Sequence, residues 1–200
     1  TQLGPICRQA MTDRVVAHRG AACWATLFTH SHYLPCLAVL LQSMRACQTR
    51  YPLVVMVTET VDARTRERLT RMGCVLRDVD AWRVPHADGS LAFERFQNVW
   101  TKLRAFELYE YERVVMIDSD MLMCHNMDEL FDRPLERGMI AAALACTCNP
   151  KQIPTYPAEW TPRNCGYALR PHPPNDTRQL TKPTHRLINS GVVVLEPSQE

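Results

Sequence analysis

Short apolar runs and amphipathic stretches alternate along the chain after residue 20. The apolar run at 21–29 predicts a first strand, and Tyr33–Cys47 predicts a helix because its apolar residues recur at helical spacing. Leu53–Val57, rich in valine, predicts a strand buried on both faces. Asp62–Met72 predicts a charged helix that ends at Gly73, the residue type favoured just past a helix.

The same alternation continues to the end of the chain. The later predicted elements are a strand at Cys74–Val79, a helix at Gln97–Tyr111, a strand at Arg113–Ile117, a short helix at Asp128–Phe131, a strand near Met139–Ala145 and a strand at Ile188–Leu195. This order favours an α/β fold, a Rossmann-like and mostly parallel sheet with helices on both faces. Ligands of such sheets bind at the carboxyl ends of the strands, so the residues after each strand matter most.

Two segments lack this periodicity. Residues 1–20 are polar and aperiodic, and we expect them to be a lead-in to a domain that spans 21–200. Cys146–His185 contains eight prolines and predicts a long irregular segment. Long loops in compact domains often carry function, and we consider this one a candidate acceptor-side insertion.

Composition and charge argue against several classes of protein. Hydrophobic residues make up 46% and charged residues 22% of the chain, as in an ordinary globular domain. The net charge of +2 gives no electrostatic basis for binding nucleic acid or a membrane surface. The apolar runs are shorter than the roughly 20 residues of a membrane span. We expect no signal peptide in residues 1–17, because they lack an apolar stretch of the needed length.

The nine cysteines indicate a reducing compartment. Their number is odd, several lie in predicted strands or helices, and no Cys-x-x-Cys pair occurs. We interpret them as reduced thiols that pack as small hydrophobic side chains in a cytoplasmic protein. A zinc site formed by Cys146, Cys148 and Cys165 is the alternative, which we disfavour because the usual ligand spacing is absent.

An acidic pair, Asp118 and Asp120, follows the apolar strand Arg113–Ile117 directly. In an extended chain, positions i and i+2 share a face, so these carboxylates would repel each other unless a proton or a cation intervened. Oxygen ligands favour hard ions such as Mg²⁺ or Mn²⁺. Such an ion could neutralise a diphosphate leaving group.

Two other interpretations of the acidic pair remain. Aspartate and serine commonly follow strands because they hydrogen-bond locally in turns. Phosphatases of the haloacid-dehalogenase type also place Asp-x-Asp after a strand, but they continue with Gly-Thr where this chain has Met121-Leu122.

Four segments, in order, resemble the glycogenin and galactinol-synthase-like glycosyltransferases, family eight of the retaining enzymes. Val114–Asp132 is similar to the metal-binding segment of that family, and Ala25–Tyr33 resembles its first strand and uracil-binding loop. Trp100–Leu103 resembles the helix before the metal strand, and Asn189–Val192 its Asn-Ser-Gly strand. The resemblance implies a GT-A fold and retaining transfer of glucose or galactose from a UDP-sugar. The implied cofactor is Mn²⁺, with Mg²⁺ as the alternative.

The resemblance also implies roles for particular residues. Asp118 and Asp120 would bind the metal, Ser119 would lie near the ribose, and Lys102 would face the diphosphate or the sugar. The other implied donor contacts are Leu27, Thr29, His30 and Tyr33 around the nucleoside, Arg95 as the donor-binding arginine, and Asn189 and Ser190 at the donor sugar. His30 stands where glycogenin has asparagine, so that contact would differ.

Several of these residues also have a purely structural interpretation. Lys102 could be a solvated helix lysine, and Arg95 could form an ion pair with Glu94 or Glu107. The rings of Tyr33, Trp24 and Trp100 could belong to the core. Asn189 could be a turn residue, and Asn126 and Asp128 could start a helix.

The family continues beyond the point where this sequence ends. It supplies an Asp-Gln motif and a His-x-x-Gly-x-x-Lys segment whose histidine completes the metal site, and neither follows in these 200 residues. We therefore expect a longer protein and assign no catalytic residue. The acceptor stays open among a sugar, a polyol, a glycan and a protein. The alternative function is a non-catalytic nucleotide-sugar binder or regulatory subunit.

Overall fold

The computed structural model describes residues 21–82, 99–167 and 187–199. The described residues divide into two compact units. The first contains those up to Ala141 and from Val193 onward, and the second contains those from Ala142 to Val192. The sequence-based domain limits of 21–200 stay a prediction. No helix of the described residues combines the length and apolar character that crossing a bilayer requires.

One sheet organises the described residues. Its six strands are β1 (Ala22–Phe28), β2 (Leu53–Val57), β3 (Val75–Asp78), β4 (Arg113–Ile117), β5 (Ala141–Leu144) and β6 (Ile188–Leu195), in the order β3-β2-β1-β4-β6-β5. β1 pairs in parallel with both β2 and β4, and β2 pairs in parallel with β3. The prediction of an α/β fold with a mostly parallel sheet is confirmed.

Two α-helices and four 3₁₀ helices accompany the strands in the described residues. The α-helices are α1 (Leu34–Ala46) and α2 (Ala63–Arg71), and the 3₁₀ helices are Ser31–Tyr33, Val99–Glu107, Asp128–Asp132 and Pro162–Asn164. α2 begins after Asp62, whose carboxylate caps it. Gly73 follows its end with φ +84°, a conformation that glycine adopts without strain, as the sequence predicts.

The predicted helix Gln97–Tyr111 is a 3₁₀ helix over its regular part, Val99–Glu107. Its buried positions Thr101, Ala105 and Leu108 are separated by four and three residues, which is the spacing of one face of an α-helix and not of a 3₁₀ helix. Side-chain spacing alone therefore could not have predicted the 3₁₀ conformation.

The central strands are buried along their whole length. All five residues of β2 and all five of β4 are buried, as predicted for β2. Trp24 on β1 is fully buried, which confirms it as a core residue. Trp100, by contrast, is 44% exposed, so its assignment to the core was wrong.

A chain of hydrogen bonds joins β1 to the loop that follows β4. The indole nitrogen of Trp24 donates to Thr49 Oγ1 at 2.8 Å, and the Thr49 hydroxyl donates to the carboxylate of Asp128. Asp128 is buried and also accepts the backbone N–H of Arg50 at 2.9 Å. The ring of Phe131 meets that of Trp24 edge-on, with centroids 5.1 Å apart.

Asp128 begins the 3₁₀ helix Asp128–Asp132, as predicted, and its burial makes it more than a helix start. Burial disfavours the charged carboxylate, but hydrogen bonds from Thr49, Arg50 and Asn126 outweigh that cost and lower the pKa of Asp128. Because the folded pKa is lowered, the bonded carboxylate stabilises the fold above the ordinary pKa of aspartate. This stabilisation is lost as pH falls through the lowered value.

Replacing Asp128 with alanine should destabilise the protein. The substitution removes the acceptor of two donors, Thr49 Oγ1 and Arg50 N, in a partly enclosed site. We expect the free energy of unfolding to fall by about 2–3 kcal/mol, measured by urea denaturation at pH 7.

The neighbouring Glu129→Ala is the matched control, because Glu129 is an exposed acid on the same short helix. It should change stability by less than about 0.5 kcal/mol. On acidification below the ordinary aspartate pKa, the difference between wild type and Asp128→Ala should shrink. A difference that persists unchanged at low pH would contradict the role given to the charged carboxylate.

Candidate functional site

The acidic pair lies where β4 ends. The parallel register of β1 and β4 places Ala25 beside Met116. Two residues further on are Leu27 and Asp118, so both lie at the carboxyl edge of the sheet. The backbone N–H of Met121 then donates to the carbonyl of Asp118 at 3.3 Å, which closes a turn.

This turn alters the expected arrangement of the two carboxylates. Ser119 and Asp120 lie within the turn rather than on extended chain, so the alternation of side chains along a strand does not apply to them. Asp118 is half-buried and Asp120 is exposed. A turn and a cation site are thus compatible here, because the turn itself presents the carboxylates at the sheet edge.

Lys102 reaches Asp118 directly. Its Nζ lies 2.5 Å from Asp118 Oδ1, and the two side chains are only 21% and 31% exposed. The adjacent Thr101 is fully buried, and its Oγ1 accepts the backbone N–H of Trp82 at 2.9 Å. This bond fixes the helix that carries Lys102, so the lysine is held at the acidic turn and is not simply a solvated side chain.

The loop after β1 forms the neighbouring part of the same edge. Thr29 is half-buried, and its carbonyl accepts the hydroxyl of Thr60 at 2.5 Å. The rings of His30 and His32 stack with centroids 5.4 Å apart, and those of His32 and Tyr33 lie 4.2 Å apart. Tyr33 is 40% exposed, so its interpretation as a core ring was wrong.

Asp62 holds this loop against α2. Its carboxylate accepts the Ser31 hydroxyl at 2.7 Å, the Thr65 hydroxyl at 2.8 Å and the Thr65 N–H at 2.9 Å. The bond from Ser31, followed by those from Thr65, lowers the pKa of Asp62 well below its usual range. Sequence reasoning identified Asp62 only as a helix start. The available signal was its residue type, since aspartate is a preferred N-cap.

The remaining donor-site candidates are Arg95, Asn189 and Ser190. Arg95 lies outside the described residues. Asn189 and Ser190 are exposed residues of β6 in the second unit. The side-chain oxygen of Asn189 accepts the N–H of Gly191 at 2.8 Å, which agrees with the local, turn-like role considered for it.

The chemistry of the acidic turn suits a hard cation. Asp118 and Asp120 offer carboxylate oxygens, the ligands that Mn²⁺ and Mg²⁺ prefer. The ammonium group of Lys102 already occupies a cation's place beside Asp118. In the part of the chain that the structure describes, no third acid, histidine or cysteine completes a cluster with this pair.

The cysteines form a second group that sequence reasoning set aside. The sulfur atoms of Cys146, Cys148 and Cys165 all lie within 4.8 Å of one another in the second unit. Their spacing in the sequence had argued against a common site, but the fold brings them together. The cysteines of the described residues carry free thiols. The expectation of a reducing compartment stays a prediction.

The chain is similar in sequence to known proteins. No protein-family model matches the chain. Galactinol synthase 2 of Ajuga reptans is 31% identical over 161 residues, covering 80% of this chain and 52% of the relative. Galactinol synthase 5 of Arabidopsis thaliana is 27% identical over 190 residues, covering 93% and 55%. The chain therefore spans about half the length of these curated relatives.

Solved glycosyltransferases share the fold. The apo structure of the bifunctional glycosyltransferase WbbM superposes with a TM-score of 0.57 at 19% identity, over 92% of this chain and 32% of that one. The galactosyltransferase LgtC, solved with donor and acceptor sugar analogues, gives 0.57 at 15% identity, over 86% and 57%.

These matches show that the chain has the fold of the GT-A glycosyltransferases. Within that class the sequence relatives are galactinol synthases. The resemblance to the glycogenin and galactinol-synthase-like glycosyltransferases, first indicated by the four ordered motifs, is thereby confirmed.

Replacing Asp62 with alanine should loosen the loop after β1, because it removes the acceptor for Ser31 and the cap of α2. We expect amide hydrogen exchange in residues 29–34 to accelerate by about fivefold, measured by mass spectrometry at neutral pH.

Glu67→Ala on the same helix is the control, since Glu67 is exposed and pairs only locally with Arg71. It should leave exchange in residues 29–34 unchanged. Equal acceleration in both variants would show that general loosening of α2, and not the loss of the Asp62 anchor, is responsible.

Proposed function

We propose that this chain is the donor-binding part of a metal-dependent glycosyltransferase that transfers glucose or galactose from a UDP-sugar with retention. The observation that carries the proposal is the pairing of Lys102 with Asp118 at the carboxyl edge of the sheet. That edge is where an α/β sheet binds its ligands. The similarity to galactinol synthases supports the same class of reaction.

Asp118 and Asp120 are the proposed metal ligands. A bound Mn²⁺ or Mg²⁺ ion would supply the charge that stabilises a departing diphosphate. The half-buried position of Asp118 keeps one carboxylate fixed, whereas the exposed position of Asp120 leaves the second accessible to an incoming metal–nucleotide complex. A further ligand would come from outside the described residues.

Lys102 is the proposed diphosphate contact. Without a donor, its ammonium neutralises Asp118. If a metal ion binds Asp118 in place of Lys102, the ammonium group can donate a hydrogen bond to a nearby phosphate oxygen. The Lys102 side chain would thus neutralise negative charge at the site both without and with a bound donor.

The loop after β1 is the proposed nucleoside site. Leu27 and Thr29 lie at the strand end. The stacked rings of His30 and His32, with the tilted ring of Tyr33 against His32, give a partly exposed aromatic surface beside it. Aromatic side chains of this kind stack on nucleobases. Ser119, in the acidic turn, would then face the ribose.

The acceptor is proposed only by class. A hydroxyl group of a sugar, a polyol, a glycan or a protein side chain would attack the anomeric carbon on the face from which UDP departs, which retains its configuration. None of the described residues is assigned as a nucleophile, so the proposed reaction is metal-assisted departure of UDP with front-face attack.

UDP binding should depend on the metal through Asp120. In titration calorimetry with the full chain, UDP should bind at least about tenfold more tightly with Mn²⁺ than with a chelator, and Asp120→Asn should abolish most of that difference. The matched control is Asp78→Asn, which neutralises an exposed acid on β3.

Metal-independent UDP binding, or an Asp120→Asn variant that behaves as wild type, would contradict the proposal. Incubation of the full-length protein with radiolabelled UDP-sugars then separates the enzyme from a non-catalytic binder, because only the enzyme transfers or hydrolyses the sugar. Phosphatase activity that disappears in Asp118→Asn, without affinity for UDP, would support a phosphohydrolase instead.

Lys102→Met should move metal and nucleotide affinity in opposite directions. Removing the ammonium frees Asp118, so Mn²⁺ alone should bind about two- to fivefold more tightly. UDP in the presence of saturating Mn²⁺ should bind about tenfold more weakly, because a charge-assisted hydrogen bond is lost.

Both affinities can be measured by calorimetry on the same preparation. Arg104→Met serves as the control, since Arg104 lies on the same helix but pairs with Glu107 at 2.5 Å. If both affinities of Lys102→Met fall together, Lys102 acts by supporting the structure and not by exchanging partners.

A further inference from the structure

Three cysteines of the second unit converge from the two ends of an irregular segment. Cys146 and Cys148 follow β5 closely, and Cys165 follows the 3₁₀ helix Pro162–Asn164. All three sulfur atoms lie within 4.8 Å of one another. Nothing in the proposed transfer reaction uses them, and they belong to a different unit from Asp118.

Hydrogen-bond donors surround the sulfur of Cys165. Its side chain is fully buried, and its sulfur accepts the backbone N–H of Thr147 at 3.4 Å. The backbone N–H of Tyr167 and the Cys148 thiol also hydrogen-bond to it. These donors would stabilise a metal-bound sulfur in a buried position.

Burial has its ordinary effect on the pKa of the two other buried cysteines. Cys74 is also buried, and there burial raises the pKa to about 11. Burial likewise raises the pKa of Cys23 well above its usual range. Those two thiols pack as neutral core side chains, whereas backbone N–H groups are directed at the sulfur of Cys165.

The spacing of the sulfurs fits a single metal ion. A tetrahedral zinc site with Zn–S bonds of about 2.3 Å places its sulfurs about 3.8 Å apart, which small side-chain movements from the present arrangement can reach. A disulfide needs sulfurs about 2 Å apart and would join only two of the three. Three converging thiols are therefore better matched to a shared cation.

We propose that Cys146, Cys148 and Cys165 bind one zinc ion through their three sulfurs. Binding releases the thiol protons of these cysteines to solvent and leaves a fourth coordination position for water or another side chain. The soft sulfur ligands distinguish this site from the carboxylate site at Asp118 and Asp120, which suits hard cations.

Such an ion would organise the irregular segment. Residues 146–165 contain no strand and no α-helix, and their turns rest on local bonds such as Ile153 N to Asn149 Oδ1 at 2.9 Å. A cavity of about 500 Å³ in this segment is lined by Cys148, Tyr156 and Trp160 among others. A zinc ion at its margin would cross-link both ends of the segment and hold the cavity wall in place.

Zinc content tests the proposal without any measurement of transfer activity. The full-length protein, purified with a reductant and dialysed against metal-free buffer, should retain about one zinc ion per chain by mass spectrometry of the metal. Cys148→Ser and Cys165→Ser should retain close to none. Cys124→Ser, which changes an exposed cysteine of the first unit, should retain zinc fully.

Asp120→Asn should also keep its zinc, which separates this site from the proposed donor metal. If the cysteine variants fail to fold, cobalt titration of the wild type decides. Thiolate-to-cobalt charge transfer and the intense bands of tetrahedral Co(II) are then expected at one equivalent. Absence of retained zinc and of these bands, zinc retention in Cys148→Ser, or a disulfide between two of the cysteines under reducing purification would overturn the proposal.

Discussion

The parallel pairing of β1 with β4 is the constraint on which the first unit depends. Both strands are almost wholly buried, so polar side chains can emerge only where the strands end. Parallel register brings those two ends to one edge, which places Asp118 near the loop that contains Thr29. The polar groups of the candidate donor site therefore lie where the buried, hydrophobic part of each strand ends.

Two sets of hydrogen bonds stabilise that edge, and each is centred on an aspartate that takes no part in the proposed chemistry. Asp62 fixes the loop after β1 to the start of α2. Asp128 fixes the loop after β4 to the segment that follows α1. Hydrogen bonds lower the pKa of both, so both anchors stay charged at neutral pH. Preorganisation of this kind keeps binding groups in position before a ligand arrives.

Local pattern was enough to predict much of this architecture. The limits of β2, β4 and β6 were predicted without error, because an apolar run bounded by polar residues has few other interpretations. The position of Asp118 after a buried strand could also be predicted. Family resemblance then suggested a metal-binding role for it, which stays a proposal, and the sequence similarity to galactinol synthases agrees with that resemblance.

Features that depend on distant contacts could not be predicted in the same way. The bond between Lys102 and Asp118 requires knowing how the 3₁₀ helix docks, which its spacing does not reveal. Trp100 looked like a core residue because it is large and apolar, yet it faces solvent. The three clustered cysteines were dismissed on spacing, although an irregular segment can return to its starting point without any periodic signal.

The bond between Thr49 and Asp128 has a consequence for how the molecule folds. It joins residues 79 positions apart, so it can form only after the intervening chain has folded back. Contacts between distant residues carry the entropic cost of closing a long loop, and proteins rich in them fold slowly. The pairing of β1 with β4 joins residues that are even further apart in the sequence, such as Ala22 and Arg113. The central sheet and the bond that secures the segment after the acidic turn therefore share this cost, and we expect the core and its binding edge to form together in one late step.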